Sequence, residues 1–413
     1  MLRQKIRVST IPTDQKWYHL CVILSSLFSL PMIVIGNQLA KLHTPGTAIC
    51  SILVGNLILW VTGLTVVTMA IEERSNAIDN VRNYLGSIGT TLIWIFMMLS
   101  ILNWFALQLD FVIPSIGAFF EVYDQKTLIC FAISIGLLTT FLSLGGIQLI
   151  KWATFITFPL IFFYYLFSII QSNISINSLG SLELSFSAIV TTLLVFLPGT
   201  INLPTLFRHS QSKADSYLGL SIYILLVSFY QISTIWMRFT NNWGITYDDY
   251  SFYSFVIFLF ILLTLIFINL GNIYYATALC ERYMPRMAKM IGLAFGIVGT
   301  GYYLFIQKYH YYPIHIITGL TNSFLAGLGV VLLIGYLIRM IVQHRPRKNE
   351  KTLNLLCWIV GCIVAAFFVF FNIKDYVKPF FMGTFASASS FLIIIFIEEN
   401  IWATKKVLSH RKK

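Results

Sequence analysis

Long runs of apolar residues alternate with short polar segments along the whole chain. The runs cover residues 19–40, 48–71, 88–115, 127–145, 149–171, 183–201, 217–240, 252–280, 290–307, 314–342, 354–373 and 376–402. About 20 helical residues cross the hydrocarbon core of a bilayer, so each run is predicted to form a transmembrane helix. Strands of a membrane β-barrel would instead be short segments of alternating polarity. The pattern therefore predicts an all-α polytopic membrane protein with twelve transmembrane helices, forming a single domain over residues 1–413.

The distribution of charge gives these helices an orientation. Only 11% of the residues are charged, against about 25% in a soluble protein. Of the 28 Lys and Arg residues, 22 lie in alternate polar segments that include both ends of the chain. The positive-inside rule predicts that both termini are cytoplasmic. The expected location is the cytoplasmic (inner) membrane. This rule also accounts for the net charge of +12, so no nucleic-acid partner is predicted.

The sequence contains no motif for catalysis, metal binding or ATP hydrolysis. It has no GxxxxGK[ST] phosphate loop and no HExxH pair, and its six cysteines lie in or beside apolar runs without CxxC spacing. His310 and His315 fall in a predicted outer loop. We therefore expect no enzyme, no catalytic residue, no metal and no cofactor. The predicted partners are the lipid bilayer and a small-molecule substrate, and the protein is expected to act as a monomer.

Two of the apolar runs are interrupted by proline and glycine at corresponding places. Span 1 reads "SSLFSLPMIVIGNQLA", with Pro31 and Gly36, and span 6 reads "TLLVFLPGTINLPTLF", with Pro198, Gly199 and Pro204. Matched interruptions are typical of transporters built from inverted repeats, in which freed backbone groups bind the solute or an ion. The pattern predicts repeats over about 19–171 and 183–342, followed by peripheral helices over 354–402. One proline kink alone would be an ordinary feature of a membrane helix.

Polar residues inside span 3 indicate the kind of solute. In "ILNWFALQLDF", Trp104 and Gln108 are four residues apart and share a helical face, beside Asn103. An indole ring next to an amide suits a flat solute with hydrogen-bonding edges. Asp110 is the acidic residue placed clearly within a span, a costly position in a membrane. It is turned about 120° from Trp104 and lies near the outer end. A coupling or gating role for Asp110 stays open.

The sequence resembles the nucleobase–cation symporter family, which includes bacterial cytosine and hydantoin permeases. Family members carry a segment like N-I-P-D-F-T-R after helix 6, and this chain has "NLPTLFRHSQS", with Asn202, Pro204 and Arg208 in matching places. They often show G-W-F-G-V-Q in helix 3, where this chain has "NWFALQ". In helix 8, N-A-L-Y-A-S-G-L corresponds to "NIYYATAL", and "GIVGT" follows at the expected distance. The segments "GNLIL" and "GIQLIKWATFITFP" are also similar to the family.

This resemblance implies ten core helices in two inverted five-helix repeats, with helices 1 and 6 broken, plus two peripheral helices. It implies a central site in which Trp104 stacks on a heterocycle, Gln108 bonds its edge, and further contacts come from other helices. Those further substrate-binding residues are Phe196, Asn272, Ser29 and Pro31. A coupling cation, sodium or proton, would lie between helix 1 and helix 8, at Ile273 (carbonyl), Ala276 and Thr277. Asn202, Pro204 and Arg208 would form the gate at the cytoplasmic end of helix 6.

Two departures from the family weaken parts of this interpretation. Thr205 replaces the family aspartate, and Ala276 replaces one of two helix 8 hydroxyls, which weakens a sodium site and leaves proton coupling open. The resulting hypothesis is cation-coupled import of a nucleobase or related flat heterocycle (cytosine, purine or hydantoin-like) by alternating access. One alternative is an amino-acid or amine permease of the same fold, although Ser29 to Ile33 lacks the glycines such carriers use. The other alternative is a membrane sensor that no longer transports.

Overall fold

A computed structural model describes residues 14–27, 29–171, 179–239, 252–281, 283–309, 312–341, 349–371 and 377–410. The α-helices are α1 Trp17–Leu27, α2 Ser29–Leu42, α3 Pro45–Glu73, α4 Ala77–Phe119, α5 Gln125–Leu142, α6 Gly146–Gln171, α7 Phe186–Thr200, α8 Leu203–Phe207, α9 Lys213–Phe239, α10 Phe252–Cys280, α11 Ala288–Tyr309, α12 Tyr312–Ile341, α13 Glu350–Phe371 and α14 Val377–His410. In these residues the predicted all-α fold is confirmed. His310 lies outside them, and the prediction that His315 lies in an outer loop is wrong, because residue 315 is in α12.

The helices follow the twelve predicted spans. Nine stretches of the described chain are long and apolar enough to cross a membrane, and one of them, Gln125–Phe167, contains both α5 and α6. These two helices are separated by the short 3-10 turn Ser143–Gly145, and Gly146, the first residue of α6, has a positive φ of 58° that changes the chain direction. Span 6 is a pair of shorter helices, α7 and α8, and span 1 contains α1 and α2 on either side of Phe28, which lies outside the described residues. The chain is a multi-pass membrane protein.

Span 6, called helix 6 below and formed by α7 and α8, is interrupted three residues later than its Pro-Gly pair. Helix α7 continues through Pro198 and Gly199 to Thr200, and a two-residue turn at Ile201–Asn202 precedes α8. Pro204 has no backbone N–H, so the carbonyl of Thr200 cannot receive its usual bond from four residues ahead. The turn instead uses three-residue spacing, with Asn202 N donating to Gly199 O at 3.0 Å. The interruption therefore follows from Pro204.

Helix 1 is also described in two parts. Helices α1 and α2 flank Phe28, which lies outside the described residues, as do the side chains of Ser29 and Pro31. Pro31 is near the start of α2, where a missing N–H removes no intrahelical bond. Gly36 lies inside α2, where a Cβ atom would approach Thr234 Cβ of α9 to 2.6 Å. Gly36 thus permits close helix packing and does not break the helix.

The chain divides into two compact units. Unit 1 contains residues 1–77 and 101–311, and unit 2 contains residues 78–100 and 312–413, so α4 contributes to both. Within unit 2, Trp358 Nε1 donates to the Phe324 carbonyl at 2.8 Å and Asn354 Nδ2 donates to the Tyr84 carbonyl at 3.0 Å. All of the candidate site residues belong to unit 1.

Candidate functional site

Two asparagines link helices α4 and α10 at the centre of unit 1. Asn269, which is 1% exposed, donates through Nδ2 to the carbonyl of Phe105 at 3.4 Å. Its Oδ1 accepts a hydrogen bond from Asn272 Nδ2 at 3.0 Å. The Asn272 amide is therefore held on the side of α10 that meets α4. The contact on α4 is the carbonyl of Phe105, the residue after Trp104. Asn269 was not predicted, although its position three residues before Asn272 puts both on one helical face.

The side chains around Trp104 divide α4 into two faces. Phe105 packs on α11, where a Cβ at Gly299 would lie 2.6 Å from its ring and Phe295 makes an edge contact. Trp104 is half-buried and Gln108 is 5% exposed, and both are turned away from the Phe105 direction by 60–100° on an ideal helix. The face that carries Trp104 and Gln108 is therefore distinct from the face that packs on α11.

Asp110 belongs to the α11 side of the helix. Gln307 of α11 donates through Nε2 to the Asp110 carboxylate. Two turns earlier on α4, Asn103 Oδ1 accepts a hydrogen bond from Tyr302 Oη at 3.5 Å. Asp110 is thus bonded to a neutral amide on a different face from Trp104, as the helical spacing predicts.

Phe196 lines an apolar cavity between α3, α7 and α9. The other lining residues are Leu59, Gly199, Thr200, Leu203, Leu220, Tyr223, Ile224 and Val227. Phe196 itself is 3% exposed. The structure thus places this aromatic ring beside α3 and α9, and its contact with the same solute as Trp104 stays a prediction.

Of the residues predicted to bind a cation on α10, Ile273 and Ala276 are buried and Thr277 is half-buried. The Thr277 hydroxyl donates to the carbonyl of Ile273 at 2.8 Å and lies against Gly292 of α11. Ala276 is 0% exposed and contributes only backbone groups. Gly271 faces Leu27 at the end of α1, and Thr277 is turned about 120° from that direction. A cation between helix 1 and these three residues stays a prediction. Among the described residues, no cluster of three or more His, Cys, Asp or Glu side chains could hold a metal ion.

Arg208 lies at the end of α8 in a cluster of polar side chains. Its side chain is 7% exposed, and the guanidinium donates from Nη1 and Nη2 to the two Glu281 carboxylate oxygens at 2.8 and 3.1 Å. His209 Nε2 and Tyr274 Oη are 2.8 Å apart in a hydrogen bond. Burial alone would lower the Arg208 pKa, but Tyr274 and Glu281 raise it above its usual value. The guanidinium therefore stays charged. We call Arg208, His209, Tyr274, Glu281 and Arg74 the Arg208 cluster.

Arg74 joins the end of α3 to this cluster. It closes α3 in the left-handed conformation with φ 48°, and its Nη1 donates to the carbonyls of Arg208 and Ser210. The residues before α1 join the same segment, because Gln15 N donates to His209 O at 3.0 Å and Gln211 N donates to Gln15 O at 2.8 Å. The beginning of the described chain and the ends of α3, α8 and α10 are thus bonded together.

The remaining predicted gate residues lie just before Arg208. Pro204 and Thr205 are buried in α8, and Asn202 is half-buried in the turn. Asn202 Oδ1 and Thr205 Oγ1 are buried and have no hydrogen-bond partner among the described residues. The break in helix 6 therefore carries polar atoms that can bond in another arrangement of this segment.

Comparisons with known proteins give structural matches only. No family model matches the chain, and no curated protein matches it. Mhp1, a nucleobase-cation-symport-1 family transporter in a closed conformation with bromovinylhydantoin bound, is 14% identical, with a TM-score of 0.67 and 96% coverage of both chains. This chain has the fold of Mhp1. The structural resemblance that the sequence motifs predict is therefore confirmed.

Two further transporters share this fold. A Na+-coupled sialic acid symporter, in a substrate-bound outward-open state, is 12% identical with a TM-score of 0.66, and the match covers 95% of this chain and 92% of that one. A mutant form of the Eremococcus coleocola manganese transporter is 12% identical with a TM-score of 0.61, and the match covers 97% of this chain and 99% of that one. These structural neighbours are transporters and not enzymes.

Proposed function

We propose that this protein is a secondary active transporter that imports a nucleobase or related flat heterocycle by cation-coupled alternating access. The observation that carries the proposal is the interruption of helix 6 at Ile201–Asn202 in a chain with the fold of known transporters. An interrupted helix leaves backbone groups free at membrane depth, where they can bind a solute or change partners between states. No covalent chemistry is needed for this function.

The side chains on α4 and α10 support a flat, hydrogen-bonding solute. Trp104 offers a ring face, Gln108 offers an amide edge one turn away, and Asn272 is held towards α4 by Asn269. An amide both donates and accepts, so two amides can pair with adjacent N–H and C=O groups of a heterocycle. Mhp1 holds bromovinylhydantoin, a solute of this kind. The coupling cation in this proposal is sodium or a proton.

The Arg208 cluster is the proposed cytoplasmic gate. The distribution of Lys and Arg predicts that the ends of α3, α8 and α10 lie on the cytoplasmic side. Solute release to that side requires these ends to separate, which means breaking the ion pair between Arg208 and Glu281. The proposed gate thus includes Asn202, Pro204 and Arg208 and gains Glu281 as a partner.

An uptake panel tests the substrate. Cells that lack their own permeases would express the protein and receive labelled purines, pyrimidines, hydantoins, amino acids and amines, with and without sodium and with a protonophore. Accumulation of a heterocycle above the empty vector is expected. Uptake of amino acids or amines alone would favour the alternative permease. Binding of a heterocycle to the purified protein, without uptake of any compound, would favour a sensor.

Paired tryptophan variants test the site. Trp104→Ala is expected to abolish or strongly reduce heterocycle uptake because it removes the stacking surface. Trp152→Ala is the matched control, because Trp152 is 67% exposed on α6. Normal uptake by Trp104→Ala, at equal amounts of protein in the membrane, would remove the stacking role.

A further inference from the structure

Helices α3 and α9 share a buried amide pair that the proposed solute site does not use. Asn56 of α3 and Gln231 of α9 are 1% and 0% exposed. Asn56 Nδ2 donates to Gln231 Oε1 and to Ser228 Oγ, both at 2.8 Å. Ser228 donates its own hydrogen to the Ile224 carbonyl at 2.9 Å, so towards Asn56 it can only accept. This arrangement fixes the orientation of the Asn56 amide, with Nδ2 towards α9.

Each amide keeps one polar atom unused. Asn56 Oδ1 and Gln231 Nε2 are buried and have no hydrogen-bond partner among the described residues. A buried donor or acceptor without a partner costs more free energy than a formed hydrogen bond contributes. The cost is highest in a membrane span, where lipid supplies no polar partner. Buried polar groups of this kind are normally completed by a bound polar molecule.

The space beside the pair is small. On one side, a Cβ at Gly36 of α2 would lie 2.9 Å from the Gln231 carbonyl oxygen. On the other side, a Cβ at Gly55, the residue before Asn56, would lie 3.0 Å from Thr192 Cβ of α7. Next to the pair, α2 therefore packs closely on α9, and α3 packs closely on α7. An occupant can have only a few atoms.

The two unused atoms also define the polarity of the occupant. The occupant must donate to Asn56 Oδ1 and accept from Gln231 Nε2. A cation would be repelled by the N–H groups of Gln231, and an anion would be repelled by the Asn56 oxygen. We propose that Asn56 and Gln231 bind one water molecule, which bridges α3 and α9. Water meets both requirements, and two polar partners are enough to hold a buried water.

This water joins α3 and α9, and α2 and α7 pack closely on these two helices. In the proposed repeats these helices are the first and second of each repeat, and the amide pair links the two second helices. In alternating access, these helices would then move as one body, a consequence that rests on the proposed function. The water site itself does not depend on transport.

A structure of the purified protein in two salts tests the occupant. One sample would contain sodium chloride and the other choline gluconate, at a resolution that shows buried water elsewhere in the chain. We expect a density peak at about 2.7–3.2 Å from both Asn56 Oδ1 and Gln231 Nε2 in both salts. A peak only with sodium or chloride would overturn water in favour of an ion. No peak at all would overturn the site.

Substitutions test the pair independently of density. Asn56→Leu and Gln231→Met each strand the polar atoms of the remaining partner, so each is expected to lower the melting temperature. The double variant strands none of these atoms and is expected to fall by less than the sum of the singles. Thr192→Val is the control, because that hydroxyl bonds only within its own helix, to Ala188, among the described contacts. Additive effects would contradict the direct hydrogen bond between Asn56 and Gln231 from which the water site is built.

Discussion

Glu281→Gln is expected to favour the open state of the proposed gate. Glutamine has nearly the same size and shape as glutamate, so the substitution changes mainly the charge. The substitution removes the carboxylate that accepts two charge-assisted hydrogen bonds from Arg208. Breaking a fully buried ion pair costs about 3–5 kcal/mol. Here the Glu281 side chain is 37% exposed, and solvent screening reduces the loss to about 1–3 kcal/mol. The substitution destabilises only the closed state of the proposed gate, because the ion pair is already broken in the open state.

The expected shift in the gate equilibrium follows from this loss. A change of about 1–3 kcal/mol corresponds to roughly a 5-fold to 150-fold increase in the ratio of open to closed gates. Cys280 provides a native reporter, because it immediately precedes Glu281 and is 5% exposed. Its alkylation by a membrane-impermeant thiol reagent, in inside-out vesicles, should accelerate by the same factor if labelling is slow compared with gate opening.

Glu72→Gln is the matched control for this assay. Glu72 forms an ion pair with Lys213 at 3.4 Å on the same side of the spans, but both side chains are about half exposed. Exposed pairs contribute about 0–1 kcal/mol, so the Cys280 labelling rate should barely change. The gate assignment would be refuted if Glu281→Gln left the Cys280 rate unchanged, or if Glu72→Gln raised it equally.

Three further substitutions test how the helices are built. Pro204→Ala returns an N–H that can bond the Thr200 carbonyl, so we expect a more continuous helix 6. The variant should fold normally and show reduced uptake. Normal uptake would contradict a role for the break in transport. Asn269→Leu removes the bond that orients the solute-side amide of α10 and should weaken solute binding by about 1 kcal/mol, measured as a roughly 5-fold higher Kd. Gly36→Ala should lower the free energy of unfolding by about 1–3 kcal/mol through overpacking against α9. Gly301→Ala, where a Cβ meets nothing within 4 Å, should be neutral in the same melting assay.

Hydropathy predicts the helices of this protein well, because a membrane leaves few alternatives for an apolar run. Ends of helices are also set locally, as at Thr44 and Asp124, whose side chains accept from the backbone N–H of the first turn. The position of the break in helix 6 was predicted less well. Pro198 and Gly199 remain helical, whereas Pro204 ends the bonding pattern. A membrane helix tolerates one proline if neighbouring groups replace the lost bond.

Contacts between distant segments of the chain cannot be predicted from the sequence patterns. The hydrogen bond between Asn269 and Asn272 is predictable from sequence, because residues three apart share a helical face. The pairing of Arg208 with Glu281 joins residues 73 positions apart and depends on how α8 and α10 end beside each other. Periodicity places a residue on a face of its own helix, but the partner of that face is set by tertiary packing.

The Arg208 cluster also bears on Thr205, which stands where the nucleobase–cation symporters that the sequence resembles carry an aspartate. Thr205, which replaces it, is 0% exposed, and a carboxylate at such a depth would require a cationic partner. In this chain Arg208 already has an anionic partner, because Glu281 reaches it from the end of α10. An ionic contact at the helix 6 exit is therefore present without the aspartate, and it connects helix 6 with helix 8. Since α10 also carries Asn272, a change at the gate and a change at the proposed solute site can be transmitted through one continuous helix.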